Sequence, residues 1–243
     1  MKTIVKYAIL IITAIVMLSC KTDFNNFTGV KGNGEVTTST RFTGNDFSSI
    51  KASEGLNVVL TQSNHTLVKV QADSNLQDLI LTEIKDGVLI LHTSEQIGRA
   101  SAKKIVVHFT NLNNITCSSG ADVHSANAIK SNTLSLKASS GSAITLKVNA
   151  QQINAIASSG ANIELSGNTK LFSATASSGS EIDANGLITK QCAAKASSGS
   201  NIDINCTESI DAKASSGANI EYKGNPTDVK KLKSSGGSIS KSS

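Results

Sequence analysis

Four carboxylates recur at one position of a repeated phrase: Glu164, Asp183, Asp203 and Glu221 each stand four residues after the glycine of a Ser-Ser-Gly step. If the phrase lies on stacked strands about 4.8 Å apart, these side chains line up as a stripe. A hard cation such as Ca²⁺, which takes six to eight oxygens, uses groups of this kind. Asp122, Asn162, Glu181, Asn201 and Asn219, two residues after the same glycines, add further oxygens. The competing reading is a solvated face with side-chain ladders, and no Asp-rich loop accompanies the stripe. The expectation is therefore a weak cation stripe at most, with no metal centre and no cofactor.

The other chemistry-bearing residues do not converge. His65, His92, His108 and His124 fall in separate strands or turns without metal-ligand spacing. Seven Ser-Ser-Gly copies cannot all be nucleophiles, and no His/Asp partner recurs with them. A β-helix polysaccharide lyase or hydrolase needs clustered carboxylates beside Lys or Arg in a groove. Arg41 and Arg99 are the sole arginines, and both lie far from the stripe. No catalytic residue is expected. Cys117, Cys192 and Cys206 occupy positions otherwise filled by Ala, Phe, Ile, Gly or Val, which suits small buried hydrophobes. Export would permit a disulfide, and Cys192 and Cys206 are the pair within one coil's length.

The elements that carry these residues follow from the repeat. Its glycines are Gly120, Gly141, Gly160, Gly179, Gly199, Gly217 and Gly236, at steps of 18 to 21 residues. Such a period marks a solenoid or array. Three residues after each glycine stands a β-branched aliphatic, from Val123 through Ile144, Ile163, Ile182, Ile202 and Ile220 to Ile239. Leu134, Ile153, Phe172 and Ile210 stand seven before it, and Ala138, Ala157, Ala176, Ala196 and Ala214 three before it. These offsets are odd, and the even ones are mostly polar. Period-2 alternation means strands with one buried face. A step of about 19 residues is too short for a βαβ unit of roughly 30.

The fold class predicted is all-β: a single-stranded parallel β-helix, right-handed as parallel crossovers are, with coils of about 19 residues and an irregular N-terminal cap. One buried Ile per coil contributes roughly 1.5–3 kcal/mol, too little for a lone coil and enough for a stack. Glycine recurs where a corner needs φ > 0, and serine suits side-chain-to-backbone bonding beside it.

Residues 1–20 read as a lipoprotein signal peptide. Lys2 and Lys6 precede an apolar run ending at Leu18-Ser19-Cys20. This ending resembles a bacterial lipobox, in which Cys20 becomes the lipidated N-terminus; Lys21 after it resembles outer-membrane sorting. About 12 apolar residues fall short of the ~20 that span a bilayer. Residues 21–33 are polar and read as a tether. Residues 34–112 form an N-terminal β region of capping coils, with strands expected over 66–72, 87–92 and 104–110 and a turn at Asp86-Gly87. Residues 113–243 are the regular coils, closed by a polar cap carrying Lys230, Lys231 and Lys233. Loss of the leader takes 23 basic side chains to 21 against 18 acidic ones, a net charge of +3. That is too mild to argue for nucleic acid.

The run Gly32-Asn33-Gly34-Glu35-Val36, Arg41, Phe47-Ser48-Ser49-Ile50 and Gly55-Leu56-Asn57-Val58-Val59-Leu60, with the later Ser-Ser-Gly-x-x-Ile coils, resembles the head GIN domain. That family is described as auto-transporter adhesins of unknown function, common on lipoproteins of Bacteroidetes-type bacteria. The resemblance covers roughly residues 34–225. It implies the fold and transfers no active site, because its motifs are structural. The expectation is an exported, lipid-anchored, non-catalytic surface module. Its partners are the membrane, through the lipid, and a cell-surface glycan or protein. The alternatives are a carbohydrate-active β-helix enzyme and a scaffold self-associating end to end.

Overall fold

The computed structural model describes residues 29–43 and 46–242. The leader, Cys20 and the first part of the tether lie outside the described residues.

Each coil is organised by its corner. Ser140 and Gly141 have φ of 55° and 68°, and Ser178 and Gly179 have 54° and 67°. The Ser142 N–H donates to the Ser139 carbonyl at 3.3 Å, which closes the turn. Two successive left-handed residues make this a type I′ turn. A Cβ at Gly141 or Gly179 would meet no atom within 4 Å, so the conformation and not crowding demands glycine there. The sequence predicts positive φ at the glycine; the serine before it adopts the same region. The serine after the glycine is the one that bonds. Ser142, Ser180 and Ser200 are buried, and their hydroxyls donate to the Cys117, Ala157 and Ala176 carbonyls of the preceding coil, each at 2.9 Å.

Between corners run β10 (Ile129–Ala138), β11 (Ala143–Ala157), β12 (Asn162–Ala176), β13 (Glu181–Ala196) and β14 (Asn201–Ala214). All pair in parallel with their sequence neighbours. The register stacks Ile144, Ile163, Ile182, Ile202, Ile220 and Ile239 in one column, and every one is buried. The alternation thus separates inside from outside as the columns predict, and the molecule is a parallel β-solenoid. β15 (Asn219–Lys223), β16 (Asp228–Lys233) and β17 (Ser238–Lys241) complete the far end.

The N-terminal region departs from a simple spiral. Its strands are β1 (Val36–Thr43), β2 (Ser49–Ala52), β3 (Asn57–Gln62), β4 (Leu67–Asp73), β5 (Ile80–Lys85), β6 (Val88–Thr93) and β7 (Lys103–Phe109). β8 (Asn114–Cys117) and β9 (Asp122–Ser125) begin the regular coils. The β2–β3 coil sits between the β6–β7 and β8–β9 coils, with parallel pairing on both sides. The chain therefore lays down one coil, leaves it, and returns to flank it. Antiparallel strands then close the end: β5 on β6, β4 on β7 and β1 on β4. Asp86 and Gly87, with φ of 51° and 74°, form the tight turn into β6.

A buried carboxylate pins this closure. Asp73 is fully buried and accepts backbone N–H groups from Gly34 at 2.9 Å, Ser101 at 3.0 Å and Ala102 at 2.8 Å. Burial opposes its ionisation, yet the donors from Gly34, Ala102 and Ser101 prevail and hold its carboxyl below the usual value. A Cβ on Gly32 would lie 2.0 Å from the Asp73 Oδ2, which explains the glycine there. The sequence places residues up to 33 in a tether. In the structure the segment is docked from Val30 onward, the Val30 N–H donating to Gln96 and the Gly32 N–H to Arg99.

Candidate interaction surface

The acidic column forms as the spacing predicts: Glu164 pairs with Asp183, Asp183 with Asp203, and Asp203 with Glu221 on adjacent strands. Like charges one strand apart repel. The Asp203 carboxyl is pushed up to about 6, first by burial and then by Asp183, Glu221 and Glu181. Among the described residues no three His, Cys, Asp or Glu side chains gather closely enough to hold a metal ion. Lysines form a separate stripe, Lys195 pairing with Lys213 in the register. The nearest carboxylate partner of Lys213 is Asp211, at 3.6 Å on its own strand.

Of the four histidines, the fold brings two together. His65 and His108 stack with ring centroids 5.3 Å apart and planes 17° from parallel. Burial, then His65 and Lys69, lower the pKa of His108. Cys117 is an inert buried thiol: burial pushes its pKa up to about 11, and its Sγ–H donates to the Ala121 carbonyl at 3.0 Å.

What the sequence reading did not single out is a furrow along the side of the rod. Along β10 to β14 the alternation breaks at one shared corner, where successive residues face outward ahead of the inward column of Leu134, Ile153, Phe172, Cys192 and Ile210. These doublets are Asn132-Thr133, Gln151-Gln152, Lys170-Leu171, Lys190-Gln191 and Thr207-Glu208. Parallel stacking places them one above another, Thr133 on Gln152, Gln152 on Leu171, and Leu171 on Gln191. Three adjoining hollows of about 320, 310 and 360 Å³ follow this line across successive coils.

The lining is mixed. Amides and hydroxyls from Gln151, Gln152, Gln191 and Ser209 alternate with charged side chains. Lys190 and Glu208 pair across it at 2.7 Å. Leu171 is 43% exposed and Ile188 52%, and both face these hollows. These two aliphatics give the otherwise polar lining small apolar surfaces. The furrow's carboxylates are solvated: Glu208 and Asp228 side chains are 47% and 62% exposed, each beside a lysine.

Residues 46–226 match a family model described as "Putative auto-transporter adhesin, head GIN domain". Among the solved structures that share the fold are three from Bacteroides and Parabacteroides. One, described as a "putative adhesin" from Bacteroides fragilis, is 24% identical with a TM-score of 0.82, covering 88% of this chain and 100% of that one. A second "putative adhesin", from Parabacteroides merdae, is 21% identical with a TM-score of 0.73, covering 88% and 99%. A "putative lipid binding protein" from Parabacteroides distasonis is 19% identical with a TM-score of 0.73, again covering 88% and 99%. No match was found among proteins of curated function.

Proposed function

Because this chain belongs to the head GIN domain family, we propose that it is a non-catalytic, adhesin-like module that binds an elongated, hydroxyl-rich polymer along its furrow. In this reading the chain is exported and held to the outer membrane by a lipid on Cys20. The observation that carries it is the furrow itself, continuous over several coils and lined by amides with Leu171 and Ile188 exposed among them. Amides recognise sugar hydroxyls through paired donors and acceptors, and small aliphatic patches cover the apolar faces of the rings. A cell-surface glycan therefore fits better than an acyl chain, although one structural relative is described as a lipid-binding protein. A long apolar ligand would leave the furrow's lysines, glutamate and glutamines without partners.

One observation favours a carbohydrate-active enzyme as the second reading: Glu208, Asp211 and Asp228 do stand near Lys190 and Lys230 in the furrow. Those carboxylates are exposed and next to lysines, whereas a general acid is made by desolvation. End-to-end self-association is opposed at the C-terminal end. There the inward positions of β16 carry Lys231 and Lys233 opposite Ala212 and Ala214, and the Lys231 Nζ lies 4.6 Å from the Tyr222 ring.

The test is glycan-array and whole-cell binding by the full-length chain in detergent, with Leu171→Glu and Ile188→Glu beside wild type. The reading expects binding lost in both variants with folding intact, and no cleavage of any bound glycan. Binding unaffected by both substitutions would overturn the furrow as the site. Binding to proteins alone would overturn the glycan, and product release would favour the enzyme. In the same cells, Cys20→Ala is expected to leave the membrane fraction or remain unprocessed.

A further inference from the structure

We propose that Cys192 and Cys206 are a dithiol that oxidises to a disulfide, stapling two successive coils beneath the furrow. The inference rests on the coil geometry and is independent of the ligand reading. The two cysteines lie on the adjacent strands β13 and β14, where Thr189 pairs with Cys206 and Cys192 with Ile210. Two steps lead from Thr189 to Gln191, but three lead from Cys206 to Ser209, the residue paired with Gln191. β14 thus carries a bulge at this corner, and a bulge re-aims the side chains beside it. Here it leaves Cys206 fully buried, with its Sγ 2.9 Å from the Ser209 carbonyl and 3.6 Å from the Lys190 carbonyl of the coil below. Cys192, two residues beyond Lys190, is the next buried inward residue at the same corner, so the two thiols enter one interior from adjacent coils, and each perturbs the other's pKa.

The chemistry of the pair is asymmetric. The Cys192 thiol lowers the pKa of Cys206 against the opposing effect of burial. The Cys206 thiol, with burial, raises that of Cys192. The proton stays on Cys192, and Cys206 is the better thiolate. Cys192 is 5% exposed and lines the furrow, so a reagent meets it first.

The oxidant is a disulfide, either small or at the active site of a thiol oxidoreductase. Cys192 passes its proton to the Cys206 thiolate and through it to solvent, and its Sγ attacks one reagent sulfur. The reagent S–S bond breaks, and its second sulfur leaves as a thiolate. The Cys206 thiolate then attacks the Cys192 Sγ and expels the remaining reagent thiol. Two electrons and two protons pass from the pair, and the reagent disulfide becomes two thiols. Cys117, hydrogen-bonded to the Ala121 carbonyl, takes no part.

The experiment equilibrates the full-length chain in detergent with oxidised or reduced glutathione, quenches with an alkylating agent under denaturing conditions, and maps tryptic peptides without reduction. Cleavage after Lys190, Lys195 and Lys213 separates the two cysteines. The oxidised sample is expected to yield peptide 191–195 joined to peptide 196–213, two hydrogens lighter than the sum of the free peptides. A loop of this length raises the melting temperature by roughly 6–12 °C. Cys192→Ala and Cys206→Ala should each abolish both the linked peptide and the redox dependence of melting. Should either variant not fold, wild type in the two buffers carries the comparison alone. Both cysteines alkylated after full oxidation, a link through Cys117 instead, or a linked protein melting no higher than the reduced one would each overturn the proposal.

Discussion

Replacing Asp203 by Asn is expected to stabilise the protein at neutral pH and to do nothing in acid. Asp203 stands between Asp183 and Glu221 in the carboxylate column, and its carboxyl is pushed up to about 6 from an ordinary 3.8. The folded state therefore holds this proton more tightly than the unfolded chain. Stability is unaffected by the group below about pH 4, falls as pH rises from 4 to 6, and stays reduced above that. At about 1.4 kcal/mol per pKa unit, a shift of roughly two units sets a ceiling near 3 kcal/mol. Asp203 is only partly buried, and water screens an exposed carboxylate. The expected gain from Asp203→Asn is then about 1 kcal/mol at pH 7.5 and close to zero at pH 4.

Urea denaturation of both proteins at pH 4, 5, 6 and 7.5 measures this directly, with unchanged slope confirming a common unfolded state. The gain should shrink in 1 M salt, where the Debye length falls to about 3 Å. An equal effect at every pH, or a loss at pH 7.5, would refute the reasoning. The same samples in millimolar Ca²⁺ address the cation reading of the stripe. Wild type is expected to shift little; a rise of many degrees, absent in Asp183→Asn and Asp203→Asn, would make the column a cation site.

Ile182 lies fully buried in the aliphatic column, so Ile182→Asp buries an unpartnered charge and should cost several kcal/mol, while Asp183→Asn beside it should change stability by no more than about 0.5 kcal/mol; similar losses at both in chemical denaturation would contradict the inside–outside assignment. Asp73→Asn leaves one acceptor oxygen for backbone donors from Gly34, Ser101 and Ala102. Because the folded carboxyl is held low, its contribution is present above the ordinary value and lost as pH falls through the folded one. The variant should therefore melt well below wild type at pH 7, with the gap narrowing in acid, and a pH-independent gap in thermal melts would contradict that account.

The coils were legible because two periods coincide. Alternation identifies inward residues such as Ile163 and Ala176, and the 19-residue step identifies which inward residues stack. The same alternation carried the furrow's signal in its breaks. Gln151-Gln152 and Lys170-Leu171 are adjacent outward pairs, visible as a phase change once the inward columns are drawn, but nothing in a single doublet says that it lines a hollow. The serine at positive φ was hidden for another reason. Serine has no intrinsic preference for that region, and Ser178 adopts it because Gly179 and the stacked corners impose a type I′ turn. Asp73 was hidden by distance, since its donors lie 28 to 39 residues away. The order of the N-terminal coils was equally invisible. Lys51-Ala52-Ser53-Glu54-Gly55 resembles the later phrase and forms the same kind of corner, with Glu54 and Gly55 both at positive φ. Resemblance to a coil does not specify its neighbours.

The two ends of the rod bear on where a ligand can act. A solenoid with open ends offers unpaired strand edges to its own copies, and a ligand site at the tip would compete with that. Here the N-terminal end is closed by strands running against the stack, β5 on β6 and β1 on β4. At the other end β16 keeps the backbone register of a further coil but leaves every side chain exposed. Its inward positions place Lys231 and Lys233 where earlier coils place alanine. Adding another copy there would press ammonium groups into an apolar column, at a desolvation cost that no carboxylate offsets. Within a coil, the corners are fixed by φ and by the buried serines, and the inward columns are fixed by packing. The surface left free to vary is the outward positions along the rod's flank, and the furrow runs there. The proposed polymer, lying along the axis of that flank, would meet the same two positions of one coil after another.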